Sequence, residues 1–268
     1  MACAMLALSS TRSAIESLAH ARRVAIDAYT VGGAMLAALE AAARRGARVT
    51  VRLEAHPYDD ASHHLGRLNA KIARELRRAG ADAWLDDPIH SKTLDVDGTR
   101  YLDEKNWRAD DIVLREDDPG NAAGIVHDKS QALALEAELL RAARRGDAVI
   151  VESESFGFGT PVYAALAALG RAGSAPRLLV CRRDLRESQR ERAALRDLTR
   201  AGVRVRVCDD SAKLALAGGR AWLGSANATY ARGQYAMPDW GTCTRDARIL
   251  GAVRTRLDGD WEAGVDLQ

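Results

Sequence analysis

His90-Ser91-Lys92, followed by Asp97, places an imidazole, an ammonium and a carboxylate in the pattern H-x-K-x4-D, and Asn106 stands sixteen residues after His90. Ser211-Ala212-Lys213 and Asn227 repeat that spacing, with serine in the histidine's place and Gly218 in the aspartate's. On an extended segment residues two apart point to one face, so His90 and Lys92 should share a surface. An imidazole beside a fixed ammonium suits attack on phosphate. The ring nitrogen is the nucleophile, and the cation offsets charge that builds in the transition state. Lys213 offers a second cation, while Asn106, Asn227 and Ser225 can donate hydrogen bonds to phosphoryl oxygens. A carboxylate on the far ring nitrogen would fix the histidine tautomer. Asp110 and Asp239, each shortly after its asparagine, are the candidates.

The elements that must position these groups alternate. Strands are expected at 24–29, 49–53 and 81–85, with helices at 34–45 and 65–79 between them. A hairpin follows, 93–96 and 99–102, turning at Asp97-Gly98. The second part repeats the order: strands at 148–152, 177–181 and 203–208, helices at 161–171 and 187–201, and a hairpin, 213–217 and 221–223, around Gly218-Gly219. Arg78-Ala79-Gly80-Ala81 matches Arg200-Ala201-Gly202-Val203 in detail. An acidic turn-forming stretch, 116–121, separates the two, followed by a helix at 128–144; an amphipathic tail, 247–261, closes the second half. The expectation is an α/β chain of two halves, 1–120 and 121–268, each a mainly parallel or mixed sheet flanked by helices and related by a pseudo-twofold axis.

Composition narrows the partners. A net charge of +2 announces no nucleic-acid field, and 5% aromatics give little support for base stacking. Four scattered cysteines, without C-x-x-C spacing, argue against a zinc site or a disulfide framework. The short apolar run at the start has no basic residue before it and makes a poor signal peptide. No run is long enough to span a bilayer, so the expectation is a cytoplasmic protein whose membrane contact is peripheral.

The paired motifs, the internal duplication and the closing pattern Asp239-Trp240-Gly241-x-x-Thr244-Arg245-Asp246, with Asp260-Trp261 beyond it, resemble the phospholipase D superfamily over residues 21–261. The resemblance implies phosphodiester hydrolysis or transfer without a metal or other cofactor, through a phosphohistidine, while a second histidine protonates the leaving group. It makes His90 the nucleophile, Lys92, Lys213, Asn106 and Asn227 phosphate ligands, and Asp97 a structural support. The substrate it implies is a phospholipid, a small phosphodiester or nucleic acid, for a monomer or a homodimer.

The sequence departs from that pattern at Ser211, at Gly218 and at Asp103-Glu104-Lys105, where the second half has Gly224-Ser225-Ala226. An alkyl hydroxyl is too weak an acid to replace the second histidine, and general acid catalysis is typically worth ~10²–10⁴-fold. Glu104 near a phosphate is repulsive when ionised; protonated, it is a candidate replacement acid, and ionised it is a candidate partner for Lys213. Asp209 and Asp210 are further substitutes. These departures keep a second reading open: a phosphate-binding pseudoenzyme that holds a phosphorylated ligand, lipid headgroup or nucleic-acid backbone without turnover. His127-Asp128-Lys129, another H-x-K, opens a helix and reads as capping. Glu154 reads equally as a substrate contact or a structural hydrogen bond.

Overall fold

The computed structural model describes residues 6–57, 63–119, 124–210, 212–230 and 237–267. The chain separates into two compact units, Met1–Ala123 and Gly124–Gln268.

The first unit begins with β1 (Leu6–Ser10) and α1 (Thr11–Ser17). It continues as β2 (Arg23–Ala28), α2 (Gly33–Arg44), β3 (Arg48–Glu54), α3 (His64–Arg78) and β4 (Asp82–Asp86), then β5 (Thr93–Val96), β6 (Thr99–Asp103) and β7 (Ile112–Glu116). Its sheet runs β1-β7-β6-β5-β2-β3-β4. β2, β3 and β4 are parallel, and the remaining pairs are antiparallel. Period-two burial of Val24, Ile26 and Ala28 turns one face of β2 into the core, where Met35 and Leu39 of α2 and Ile72 and Leu76 of α3 join it.

The second unit contains β8 (Ile125–Val126), α4 (Lys129–Arg141), β9 (Ile150–Ser153), α5 (Pro161–Arg171), β10 (Arg177–Cys181), α6 (Arg182–Glu187), α7 (Gln189–Arg200) and β11 (Arg204–Cys208). β12 (Leu214–Ala217), β13 (Arg220–Gly224), β14 (Gly241–Thr244), α8 (Ala247–Ala263) and β15 (Val265–Asp266) complete it. Its sheet runs β15-β11-β10-β9-β12-β13-β14-β8. From the β8 end this is the first unit's order strand for strand, with β15 added at the far edge. The α/β class and the internal duplication expected from sequence are therefore present. The helix expected over 187–201 is α7, capped by the Ser188 hydroxyl, which accepts the Glu191 N–H; the short α6 before it was not expected.

The units differ on the second face of the sheet. In the second unit α8 covers it, burying Ile249, Val253, Leu257 and Trp261, one residue per turn, and packing on β9, β11, β12 and β13. Sheet register matches Asp27, Arg52, Asp95 and Arg100 of the first unit with Glu152, Leu179, Leu216 and Ala221 of the second. The first set forms the ion pairs Arg52–Asp27 and Arg100–Asp95. The second is buried throughout.

Among the described residues no helix is long and apolar enough to cross a membrane.

Candidate functional site

In the first unit His90, Ser91 and Lys92 lie between β4 and β5, outside both strands. Lys92 O accepts the Asp103 N–H at 2.9 Å, which carries the hairpin pairing one residue beyond β5. His90 and Lys92 do share a surface: His90 Nδ1 is 3.4 Å from Lys92 Nζ, and both residues are buried. The Tyr29 ring, just past β2, meets His90 edge-on with centroids 5.6 Å apart, and Lys92 Nζ lies 5.8 Å from that ring. Two groups unread in the sequence set this geometry. Glu54, at the end of β3, accepts the Ile89 N–H at 2.6 Å and the His56 N–H at 2.8 Å. Asn69 of α3 donates to Tyr29 O and Glu54 O, at 2.8 and 2.9 Å. Burial raises the Glu54 carboxyl above the usual range.

The loop between β6 and β7 is organised by carboxylates. Asp103 accepts from the Lys105 and Trp107 N–H groups, and Asp111 from those of Asn106 and Arg108. Glu104 accepts the Ile112 N–H at 3.3 Å. Lys105 Nζ lies 3.6 Å from Asp110 and 3.8 Å from Asp111. Asp103, Glu104, Lys105 and Asp111 are all buried. Desolvation, then the charges of Asp111 and Glu104, push the Asp103 carboxyl well above its ordinary range. Asp97 sits at the exposed hairpin turn and accepts from the Arg22 and Arg23 N–H groups, which lowers its pKa.

In the second unit Lys213 lies just before β12, and its carbonyl accepts the Gly224 N–H as that of Lys92 accepts Asp103's. Lys213 is 1% exposed and pairs with Glu154 at 2.9 Å; Glu154 also binds Arg183 at 2.6 Å. Register matches Glu154 with Tyr29, so the two lysines face a carboxylate in one unit and an aromatic ring in the other. Ser225 Oγ donates to Asp239 at 2.7 Å and accepts the Trp240 N–H at 3.1 Å. Glu104 and Ser225 therefore make corresponding contacts, to Ile112 and Trp240. The residue ahead of each is Asp111 and Asp239. The buried counterpart of Asp239 is Asp111, not Asp110, whose side chain is 64% exposed. The side-chain oxygens of Asn106 and Asn227 make no hydrogen bond among the described residues.

Ser211 lies outside the described residues. Of its neighbours, Asp209 is exposed and pairs with Arg182, and Asp210 pairs with Arg256 of α8. Asp210 also approaches Glu152 and Asp260 closely enough to share a cation, but Arg256 already binds both aspartates. Asp128 caps α4 by accepting the Gln131 N–H, as its sequence position suggested. Lys129 beside it is fully buried, which the capping pattern did not reveal.

No family model and no curated protein matches the chain. Solved structures do. Phosphatidylserine synthase from Haemophilus influenzae Rd KW20 superposes with a TM-score of 0.66 at 11% identity, over 98% of this chain and 87% of that one. Polyphosphate kinase from Porphyromonas gingivalis gives 0.60 at 15% identity, over 96% of this chain. The chain has the phospholipase D fold. It spans half the length of the polyphosphate kinase it matches. Nuc from Salmonella typhimurium, a phospholipase D family member, matches 54% of the chain with a TM-score of 0.45. At these identities the likeness is one of fold. What the phospholipase D fold supplies here is two copies of one frame: a lysine before a hairpin, an asparagine after it, and a buried aspartate ahead of the next strand.

Proposed function

We propose that the protein is a phosphodiesterase or phosphatidyltransferase-type enzyme in which His90 is the nucleophile. Lys92, Lys213, Asn106 and Asn227 hold the phosphoryl oxygens, and Asp97 and Asp111 support the hairpin and loop of the first unit. The observation that carries this reading is the buried His90–Lys92 pair, 3.4 Å apart, set in a frame whose lysine and asparagine recur in the second unit. A ring nitrogen bonds to phosphorus as the ester P–O bond breaks, and the flanking ammonium stabilises the equatorial oxygens. The superposed synthase and kinase are named for phosphoryl chemistry, which favours that reaction class. All the groups invoked are side chains, so turnover is expected to survive a chelator.

The test is release of nitrophenol from bis(p-nitrophenyl) phosphate in EDTA, by wild type and His90→Ala. Release lost in the variant supports the reading; equal release by both overturns it. A second reading rests on Glu104, a buried acid where the second unit has Ser225: a module that binds a phosphorylated ligand without turnover. It predicts no release by folded wild type, with saturable phosphate binding that weakens in Lys213→Met.

A further inference from the structure

The far end of β12 from Lys213 is the turn at Gly218-Gly219, about 17 Å away at the rise of a strand. It borders a cleft of about 360 Å³, a volume typical of small-molecule sites. Arg144, Arg220, Arg245 and Asp147 line it. Leu139 and Ala142, where α4 ends, and Ala217 of β12 form an apolar wall. Among the described residues none of the three arginines is in an ion pair. Asp147 accepts the Arg144 N–H at 2.7 Å, and Asp246, next to Arg245, caps α8. The arginines thus meet one lining carboxylate and a helix C-terminus of about half a negative charge, which leaves an excess of about one and a half positive charges. On the opposite face of β12, where Leu216 points, a smaller cleft of about 140 Å³ holds Arg177 and Arg254, but there Asp258 pairs with Arg177 at 3.4 Å.

The fold does not require this charge. Sheet register and the repeated motif put Arg22, Asp97, Thr99 and Asp117 of the first unit at the places of Asp147, Gly218, Arg220 and Arg245. The first set is net negative and the second net positive. Asp97 and Gly218 have similar positive φ, 49° and 55°, so the turn accepts either residue, and the second unit has the one without a carboxylate.

We propose that this cleft binds a phosphate monoester, at a site separate from that of Lys213. A monoester carries about −1.5 to −2 charges at neutral pH, which the excess in the cleft matches. The guanidinium forks take the phosphate oxygens, and the organic group lies against Leu139, Ala142 and Ala217. A concave site of this size favours a small molecule over an extended polymer or a lipid surface.

The experiment titrates phenyl phosphate and inorganic phosphate calorimetrically into wild type, Arg220→Gln, Arg245→Gln and Asp147→Asn, each checked by thermal melting. Phenyl phosphate should bind more tightly than inorganic phosphate, because it reaches the apolar wall. Each arginine variant should raise its Kd by about tenfold or more, the size of one lost hydrogen bond to a charged group. Asp147→Asn keeps an acceptor for the Arg144 N–H and removes the opposing charge, so it should lower Kd by about fivefold. A Kd unchanged in both arginine variants places phenyl phosphate elsewhere and overturns the assignment. Equal Kd for the two probes, or no saturable binding to folded wild type, overturns it as well. Nitrophenol release by the same preparations reports on His90 separately. A wild type that is inert on that ester, yet binds phenyl phosphate through Arg220 and Arg245, overturns the catalytic reading and leaves this cleft standing.

Discussion

The two units share a topology and divide a chemistry. Each has a buried lysine before a hairpin, an asparagine after it and a buried aspartate ahead of the next strand. Around that frame the charges are exchanged. The first unit places His90 and the Tyr29 ring near its lysine and builds its loop from Asp103, Glu104 and Asp111. The second faces Lys213 with Glu154, adds the buried Lys129, and has Gly224 and Ser225 where the first has Asp103 and Glu104. The sheet order therefore does not dictate the charge at these positions. Hairpin and strand ends hold the backbone through main-chain bonds such as Asp103 N–H to Lys92 O, so side chains beyond them can change sign without changing the fold.

The sharpest break in this symmetry is His90. If only the first unit holds a nucleophile, His90→Ala should lower kcat on the nitrophenyl ester by about 10⁴-fold or more, as removal of an attacking group does elsewhere. The matched lysines come next. Lys92→Met and Lys213→Met should each lower kcat/KM by about 10²–10³-fold, the size of losing one fixed donor to a charged transition state. Their stabilities should diverge. Lys213→Met leaves Glu154 with the exposed Arg183 in place of its buried partner, whereas Lys92 faces a ring. Adding Glu154→Gln should recover melting temperature in the Lys213→Met background. Equal melting of the single and double variants would show that the Glu154 charge does not matter.

Much of this frame is legible in the chain because it rests on short-range pattern. Val24, Ile26 and Ala28 alternate, Gly80 and Gly202 close helices at positive φ, and the H-x-K offset recurs across the repeat. What escaped depends on residues far apart. Asp110 and Asp111 are adjacent acids, and nothing local says which is buried; only the matching of Glu104–Ile112 with Ser225–Trp240 decides it. Glu54 and Asn69 act by joining β2, β3 and α3 through bonds across 15 to 40 residues. Lys129 was hidden by a capping pattern that is also true. β1 and β14 are edge or near-edge strands too short for alternation to register.

Gly224 sharpens the comparison at the level of packing. It occupies the place of Asp103, yet a Cβ there would lie 2.6 Å from Trp240 O and 2.7 Å from the Trp222 ring. The first unit has Tyr101 in place of Trp222. Gly224→Ala should cost about 1–3 kcal/mol by pressing on the Trp240 carbonyl and the indole together. In a Trp222→Tyr background the part of that cost due to the ring should vanish. An undiminished cost would place the conflict at Trp240 O instead.

The smallest effect tests the one acid of the motif that never reaches the chemistry. Asp97 and Gly98 in the first hairpin, and Gly218 and Gly219 in the second, all have positive φ, so Asp97→Gly keeps the turn and makes the hairpins alike. It removes the carboxylate that accepts from Arg22 and Arg23. Those bonds lower the folded pKa of Asp97 below its unfolded value. Their contribution is therefore present above the unfolded pKa, near 3.9, and is lost as pH falls through the folded one. Asp97→Gly should melt a few degrees below wild type at pH 7, with the gap closing as the pH drops below 4, while kcat per folded molecule is unchanged. A gap independent of pH would mean that Asp97 holds the turn by its backbone preference, and that the hydrogen bonds to Arg22 and Arg23 contribute nothing measurable.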